Sequence, residues 1–198
     1  TFSEPPTGFD ASDVTTTGGS LSTPTVTADS KVYTATFTPA TNSTASPSIT
    51  VAAGSYTDAS KNSGGAGTSP SISVDTAAPT VTITSSADEI RSDQTAKITF
   101  TFSETPTGFA SGDVTTAGGT LSTPTVTSDD KIYTATFTPT QGSSTAPSVT
   151  VASGSYEDAV GNAGGAGTSP SLSVAQLVVQ YKFDNNLDDS SGNAGHGT

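Results

Sequence analysis

The chain has 198 residues and a formal net charge of −12, because 18 acidic side chains stand against 6 basic ones. This acidity argues against a nucleic-acid partner, whose phosphates are bound by Lys and Arg, and the absence of Cys excludes disulfides and a thiol nucleophile. No apolar run approaches the roughly 18 residues of a membrane-spanning helix, so we expect no membrane span.

The first 74 residues recur one hundred positions later. Residues 1–74 align with 101–174 without a gap, and about 52 of the 74 positions are identical. A repeat of this length is typical of a whole domain rather than of a solenoid unit. The segment 79–100 has no counterpart before Thr1. We therefore predict a first domain over 1–78 that lacks its opening strands, as in a window on a longer chain, with strands donated by a neighbouring chain as the alternative.

The complete repeat, residues 79–176, predicts an all-β antiparallel sandwich. Thr, Val and Ile favour strands, and apolar side chains alternate with polar ones from Ile98 to Phe102 and from Tyr133 to Phe137. Pro-, Gly- and Asp-rich turns separate seven short segments, as in an immunoglobulin-like sandwich. The segments are TVTIT, AKITFTFSE, a short strand near Asp113, GTLSTPTVT, KIYTATFTP, PSVTVAS and TSPSLSV.

Residues 1–176 contain several sequence phrases in a fixed order. They include FSETPTGFASGDVTTAGGTLS, YTATFTPT, VTVASGSYEDAVGNAG and the linker SVDTAAPTVTIT. This series resembles the bacterial Ig-like repeats of giant secreted surface adhesins. The resemblance implies tandem Ig-like, Greek-key sandwiches in an extracellular, cell-surface protein.

The last 22 residues have no partner in the first repeat. The segment 177–198, with its YKFD strand and DSSGN turn, resembles the start of a laminin-G/concanavalin-like jelly-roll domain. The resemblance implies that a glycan-binding module begins here.

Catalytic chemistry finds little support in the sequence. The only His is His196, in a Gly-rich segment, and no nucleophile is placed beside it. Asp188 and Asp189 are adjacent, which is more typical of a solvated turn than of a glycosidase acid pair. We therefore predict that the chain is not an enzyme.

Calcium is the candidate cofactor. In a seven-stranded sandwich, the strand 2–3 and strand 6–7 connections return to the pole where the linker enters, so their carboxylates and amide are expected to converge where one domain meets the next. Hard oxygen ligands suit Ca²⁺, whereas the alternative is that the same residues only form tight turns. The candidate ligands in the second repeat are Asp75, Glu104, Asp158 and Asn162, and in the first repeat Glu4, Asp58 and Asn62.

The sequence favours a structural role. We expect a stiff extender region of a secreted bacterial adhesin or extracellular fibre, whose partners are neighbouring repeats of the same chain and possible further copies in a fibre. Two alternatives remain open: presentation of a lectin-like module that binds host or environmental glycans, and accessory domains of an extracellular polysaccharide-degrading enzyme. The flanking sequence distinguishes them, because many repeats favour an adhesin.

Overall fold

A computed structural model of the protein describes residues 1–175, and contacts divide the chain into two compact units, Thr1–Ala78 and a second that begins at Pro79. Both units are built from strands, and each has one short 3₁₀ turn, Ala11–Asp13 and Ser111–Asp113. In this part of the chain no helix is long and apolar enough to cross a membrane.

The first unit contains seven short strands in three groups. β6 lies between β1 and β7, β2 pairs with β5, and β3 pairs with β4. The strands are β1 Val14–Thr17, β2 Gly19–Leu21, β3 Thr25–Val26, β4 Tyr33–Thr34, β5 Phe37–Pro39, β6 Ser48–Val51 and β7 Gly67–Thr68. Within residues 1–78 only Pro47 is buried.

The second unit contains ten strands. They are β8 Val81–Ser85, β9 Glu89–Arg91, β10 Ala96–Phe102, β11 Val114–Ala117, β12 Gly119–Leu121, β13 Thr125–Val126, β14 Ile132–Pro139, β15 Ser148–Val151, β16 Gly167–Thr168 and β17 Ser173–Ala175. β10 and β14 are the longest, and each has neighbours on both sides.

The strand order of the second unit is that of an immunoglobulin-like sandwich. One sheet runs β12-β14-β10-β8, with β13 also paired to β14, and the other runs β11-β15-β16. These are the four-strand and three-strand sheets of the constant-type Ig fold, joined by Greek-key connections. In addition, β9, which follows β8 along the chain, pairs in parallel with β17 in a separate two-stranded sheet. The predicted fold class is therefore confirmed.

The core of the second unit follows from the alternation in its strands. Ile98, Phe100 and Phe102 are at most 3% exposed, whereas Lys97 and Thr101, on the opposite face of the strand, are exposed to solvent, as period-two patterning requires. The other sheet supplies Val149 and Val151 at 1% exposure. The remaining buried apolar residues are Val81, Ile83, Ile90, Ala96, Ala135, Phe137, Tyr156 and Leu172.

The strand count of seven predicted for the second unit is wrong. β9 was not predicted, and two predicted strands are each divided into two: GTLSTPTVT around Pro124 and TSPSLSV around Pro170. Proline lacks the N–H that a strand donates to its neighbour, so pairing stops there and resumes beyond it. The third strand begins at Val114, because the 3₁₀ turn occupies Ser111–Asp113.

Candidate functional site

Two loops of the second unit meet at one pole of the sandwich. The first follows β10, and the second lies between β15 and β16. A short antiparallel bridge joins them, in which the Thr107 N–H donates to the Glu157 carbonyl at 2.7 Å and the Glu157 N–H donates to the Thr107 carbonyl at 3.0 Å. The loops that were expected to share a pole are thus hydrogen-bonded to each other.

Pro79, where the chain enters the domain, is anchored to the second of these loops. The Gly165 N–H donates to the Pro79 carbonyl at 2.9 Å, and the Tyr156 hydroxyl lies 3.2 Å from the same oxygen. Tyr156 is 1% exposed, and burial raises the pKa of its hydroxyl above its ordinary value. These hydrogen bonds to Pro79 were not predicted from the sequence, although the short motifs SY and GGAG recur in both repeats.

Asp158 organises the loop after β15. Its Oδ1 accepts hydrogen bonds from the N–H groups of Asn162 at 2.8 Å and Val160 at 2.9 Å, and its Oδ2 accepts from the Asn162 Nδ2 at 2.7 Å. These are the contacts of a tight Asx-type turn, the alternative that the sequence also allowed. The side chain is 2% exposed and is the one buried charged group within residues 1–175.

These contacts determine the charge state of Asp158. Burial by itself raises the pKa of a carboxyl group, but the backbone and side chain of Asn162, together with the N–H groups of Val160 and Gly161, lower the pKa of Asp158 below its ordinary value. Asp158 is therefore a carboxylate at neutral pH.

The first unit repeats this turn. The Asn62 N–H and Nδ2 donate to Asp58 at 2.8 and 2.6 Å, and the side-chain bond from Asn62 is the main reason why the pKa of Asp58 lies below its ordinary value. Glu4, Asp58 and Asn62 line one cavity of about 130 Å³ beside Tyr56. The three candidate ligands of this repeat therefore lie around one space.

Other residues considered from the sequence lie outside the described part of the chain. His196, Asp188 and Asp189 belong to the segment 177–198, and so does the sequence that resembles the start of a jelly-roll domain. The interpretation of that segment as the start of a glycan-binding module stays a prediction.

Comparison with known families gives two matches. The model of the bacterial Ig-like domain matches residues 1–74 and again residues 75–176, which together cover nearly the whole chain. No curated protein matches the sequence.

The second family match includes Asp75, because it begins at that residue. The Asp75 carboxylate accepts a hydrogen bond from the Ala77 N–H at 3.0 Å, within the linker. Within the second unit, oxygen atoms of Glu104 and Asp158 lie within 4.8 Å of each other. Asn162, the fourth candidate ligand, is hydrogen-bonded to Asp158. Such a set of oxygen donors is of the type that Ca²⁺ takes.

Proposed function

Since the chain belongs to the bacterial Ig-like domain family, we propose that it is a structural extender region of a secreted bacterial surface adhesin or extracellular fibre. Domains of this family are often extracellular spacer or adhesion modules and are typically non-catalytic. In this role the sandwiches are stiff segments of a spacer that presents adhesive modules, and the chain itself has no catalytic activity.

The anchored linker carries this proposal. The two family matches are contiguous, with one ending at residue 74 and the other beginning at residue 75. Pro79, four residues after residue 75, is buried, and its carbonyl accepts hydrogen bonds from Gly165 and Tyr156. The linker is therefore fixed to the second domain from this residue onward. A spacer needs short, restrained connections, because a flexible linker lets the ends of the chain approach each other.

Spin labels test the spacer role directly. The chain has no Cys, so the double variant Thr38→Cys and Thr138→Cys places one label on an exposed strand position in each repeat. Pulsed electron paramagnetic resonance of the full chain is expected to give a narrow distribution of distances between the two labels. The matched control carries six additional Gly/Ser residues after Thr76. A distribution as broad as that of the control would overturn the proposal.

We further propose that Ca²⁺ binds at the pole of the second repeat, with Asp75, Glu104, Asp158 and Asn162 as ligands. The neighbouring carboxylates of Glu104 and Asp158 repel each other unless a cation or a proton lies between them, and Asp158 is ionised at neutral pH. Backbone carbonyls and water complete the six to eight oxygens that Ca²⁺ requires. Binding would hold the linker residue Asp75 against the domain that it leads into. Glu4, Asp58 and Asn62 are proposed as the corresponding ligands in the first repeat.

Calcium titration of the full chain tests the metal site. Extracellular sites of this kind bind at about 10⁻⁴–10⁻³ M, and free Ca²⁺ at about 100 times the dissociation constant stabilises the folded state by about 2.7 kcal/mol. The melting temperature of the second repeat is therefore expected to rise with Ca²⁺. Glu104→Gln should abolish this rise, whereas Asp130→Asn, at an exposed turn, should retain it. An unchanged melting curve in millimolar Ca²⁺ would contradict the site.

A further inference from the structure

The first repeat contains an open groove of about 420 Å³. Its lining includes the half-buried side chains of Val51 and Tyr56 together with residues 65–69. The equivalents of these two side chains in the second repeat, Val151 and Tyr156, are each 1% exposed. The same set of residues is therefore open to solvent in one repeat and closed in the other.

Strand β8 closes the equivalent place in the second repeat. Val81 and Ile83 are 8% and 3% exposed, whereas the threonine between them faces solvent. A Cβ atom on Gly167 would lie 2.6 Å from Val81 Cγ1 and 3.3 Å from Ile83 Cδ1. At the equivalent Gly67, the nearest neighbour of such a Cβ is Val51, at 3.9 Å. The space that the two β8 side chains occupy in the second repeat is thus free in the first.

Hydrogen-bonding groups at the edge of the groove are repeated as well. In the second repeat, the Ser103 N–H donates to the Thr80 carbonyl at 3.0 Å, and the Thr80 N–H donates to Ser103 Oγ at 2.9 Å. The Gly165 N–H donates to the carbonyl of the residue before Thr80. Ser3 and Gly65, the counterparts of Ser103 and Gly165, both line the groove. The groove therefore combines apolar space with groups that pair with an added strand.

The occupant of the second repeat defines the chemistry that fits this groove. Pro79 is followed by Val81 and Ile83, two and four positions later, in extended backbone. Among the described residues, none that lines the groove has a charged side chain, and burying an unpaired charge there would be costly. An extended, uncharged segment with the same spacing of proline and aliphatic residues meets these requirements. Its alternate side chains enter the groove while its backbone pairs with the edge, as in β-augmentation.

We propose that the groove of the first repeat is a docking site for one such strand, supplied by another polypeptide. β8 of a second copy is not the donor, because Val81 and Ile83 are already buried in their own repeat. Their withdrawal would lose as much apolar burial as docking regains. The partner is therefore a protein that carries this pattern in a segment not already folded into a sandwich. The proposal does not depend on the spacer role.

Titration with a synthetic peptide tests the docking site. The probe is fluorescein-labelled AAPTVTITSS, the sequence of residues 77–86, and the acceptor is the full chain. Fluorescence anisotropy is expected to show saturable binding of one peptide per chain. Hydrogen exchange with mass spectrometry should show slower exchange of the amides of residues 65–69 when the peptide is bound. A peptide with Val81→Asp should not bind, because the groove would have to bury a charge.

Two glycine variants of the chain provide a matched pair. Gly67→Ala places a methyl group where the inward-facing valine of the peptide must lie, so it should raise the Kd by about tenfold, as overpacking does. The peptide-free chain has room for this methyl group, since its nearest neighbour is 3.9 Å away. Gly65→Ala is the control, because a Cβ at the equivalent Gly165 would lie at an ordinary contact distance, 3.7 Å, from the Pro79 carbonyl oxygen. Its Kd should equal that of the wild type.

Four outcomes would overturn the proposal. Absence of saturable binding, or the same loss of affinity in both glycine variants, would show that the groove is not the binding site. Slower exchange confined to the second repeat would mean that the peptide replaces β8 there. A chain that dimerises by itself, and no longer does so with Gly67→Ala, would make a second copy the donor. Exchange of the β6 amides verifies that both variants are folded. The spin-label distances are measured without peptide, so failure of docking and failure of the spacer role are distinguishable.

Discussion

The two repeats have nearly the same residues but not the same interior. Phe137 is fully buried and Val151 is 1% exposed, whereas their counterparts Phe37 and Val51 are only partly buried. The second repeat has β8 and β10 over these side chains, and the first repeat has no counterpart of those strands within this sequence. Burial is thus supplied by distant partner strands and not by the local sequence.

Strand length shows the same dependence. β14 runs unbroken from Ile132 to Pro139, but the equivalent stretch of the first repeat is divided into β4 and β5. The gap falls at Ala35 and Thr36, whose equivalents in the second repeat pair with β10. In the Asp58 and Asp158 turns, by contrast, the backbone and side-chain N–H groups of the following Asn donate to the Asp carboxylate in both repeats. Turn geometry is therefore local, whereas strand continuity and burial are not.

The largest difference in stability loss between the two repeats is expected when the equivalent phenylalanines are replaced by alanine. Phe137→Ala should destabilise the second repeat by about 3–5 kcal/mol, the range for a fully buried Phe. Phe37→Ala should cost the first repeat less than half of that value, because the side chain is already partly exposed. Hydrogen exchange with mass spectrometry resolves peptides from each repeat in the full chain. Equal losses for the two variants would show that the first repeat has a comparable core.

Alanine at the glycine beside the buried tyrosine should give the next largest difference. A Cβ at Gly164 would lie 2.3 Å from the Tyr156 ring, and one at Gly64 would lie 2.3 Å from Tyr56. Tyr156 is enclosed, so Gly164→Ala should destabilise the second repeat by about 1–3 kcal/mol, as overpacking does. Tyr56 is partly exposed and has room to move, so Gly64→Ala should cost less. A larger loss for Gly64→Ala would contradict this account.

Exchanging one turn residue between the repeats should have a smaller effect. Gly161 has φ of +93° and its counterpart Lys61 has φ of +67°, a region that non-glycine residues occupy at a cost of about 1–2 kcal/mol. Lys61→Gly should therefore stabilise the first repeat by about 1 kcal/mol, and Gly161→Lys should destabilise the second by a similar amount. Urea unfolding followed by hydrogen exchange measures both. Shifts of the same sign in the two variants would refute the conformational explanation.

The smallest difference in stability between the two repeats is expected in their response to acid. The folded-state pKa values of Asp58 and Asp158 both lie below the ordinary 3.8. Each carboxylate therefore contributes stability that is present above about pH 3.8 and is lost as the pH falls through the folded-state value. Asp58→Asn and Asp158→Asn should each reduce the loss of stability between pH 5 and pH 2. Melting curves over this range test the prediction, and an unchanged pH dependence in either variant would contradict it.

Several features of the fold could be predicted because they depend on local sequence. Alternation from Ile98 to Phe102 placed β10 and its buried face, and the antiparallel sandwich followed from the turn spacing. β9 could not be predicted in this way, since Glu89–Arg91 is a short segment with charged ends whose partner lies at the far end of the domain. Such a strand exists only because another strand is present beside it.

The candidate site likewise has one feature that the sequence predicts and one that it does not. Strand polarity was sufficient to predict that Glu104 and Asp158 share a pole, because topology fixes where each loop returns. The hydrogen bonds from Gly165 and Tyr156 to Pro79 were beyond sequence reasoning. They depend on a backbone carbonyl oxygen, which no residue type identifies, and on the depth at which the tyrosine ring is buried.

The pairing of β9 with β17 also affects how the domain is synthesised. The Ser173 and Asp88 groups that hydrogen-bond to each other are 85 positions apart. At about 5–20 residues per second, the ribosome needs about 4–17 seconds to make the intervening chain. Throughout this interval β9 has no parallel partner, and its backbone is an open edge available to other strands. Even if β8, β10 and β14 have already paired, the domain cannot complete its folding until its last strand has been translated.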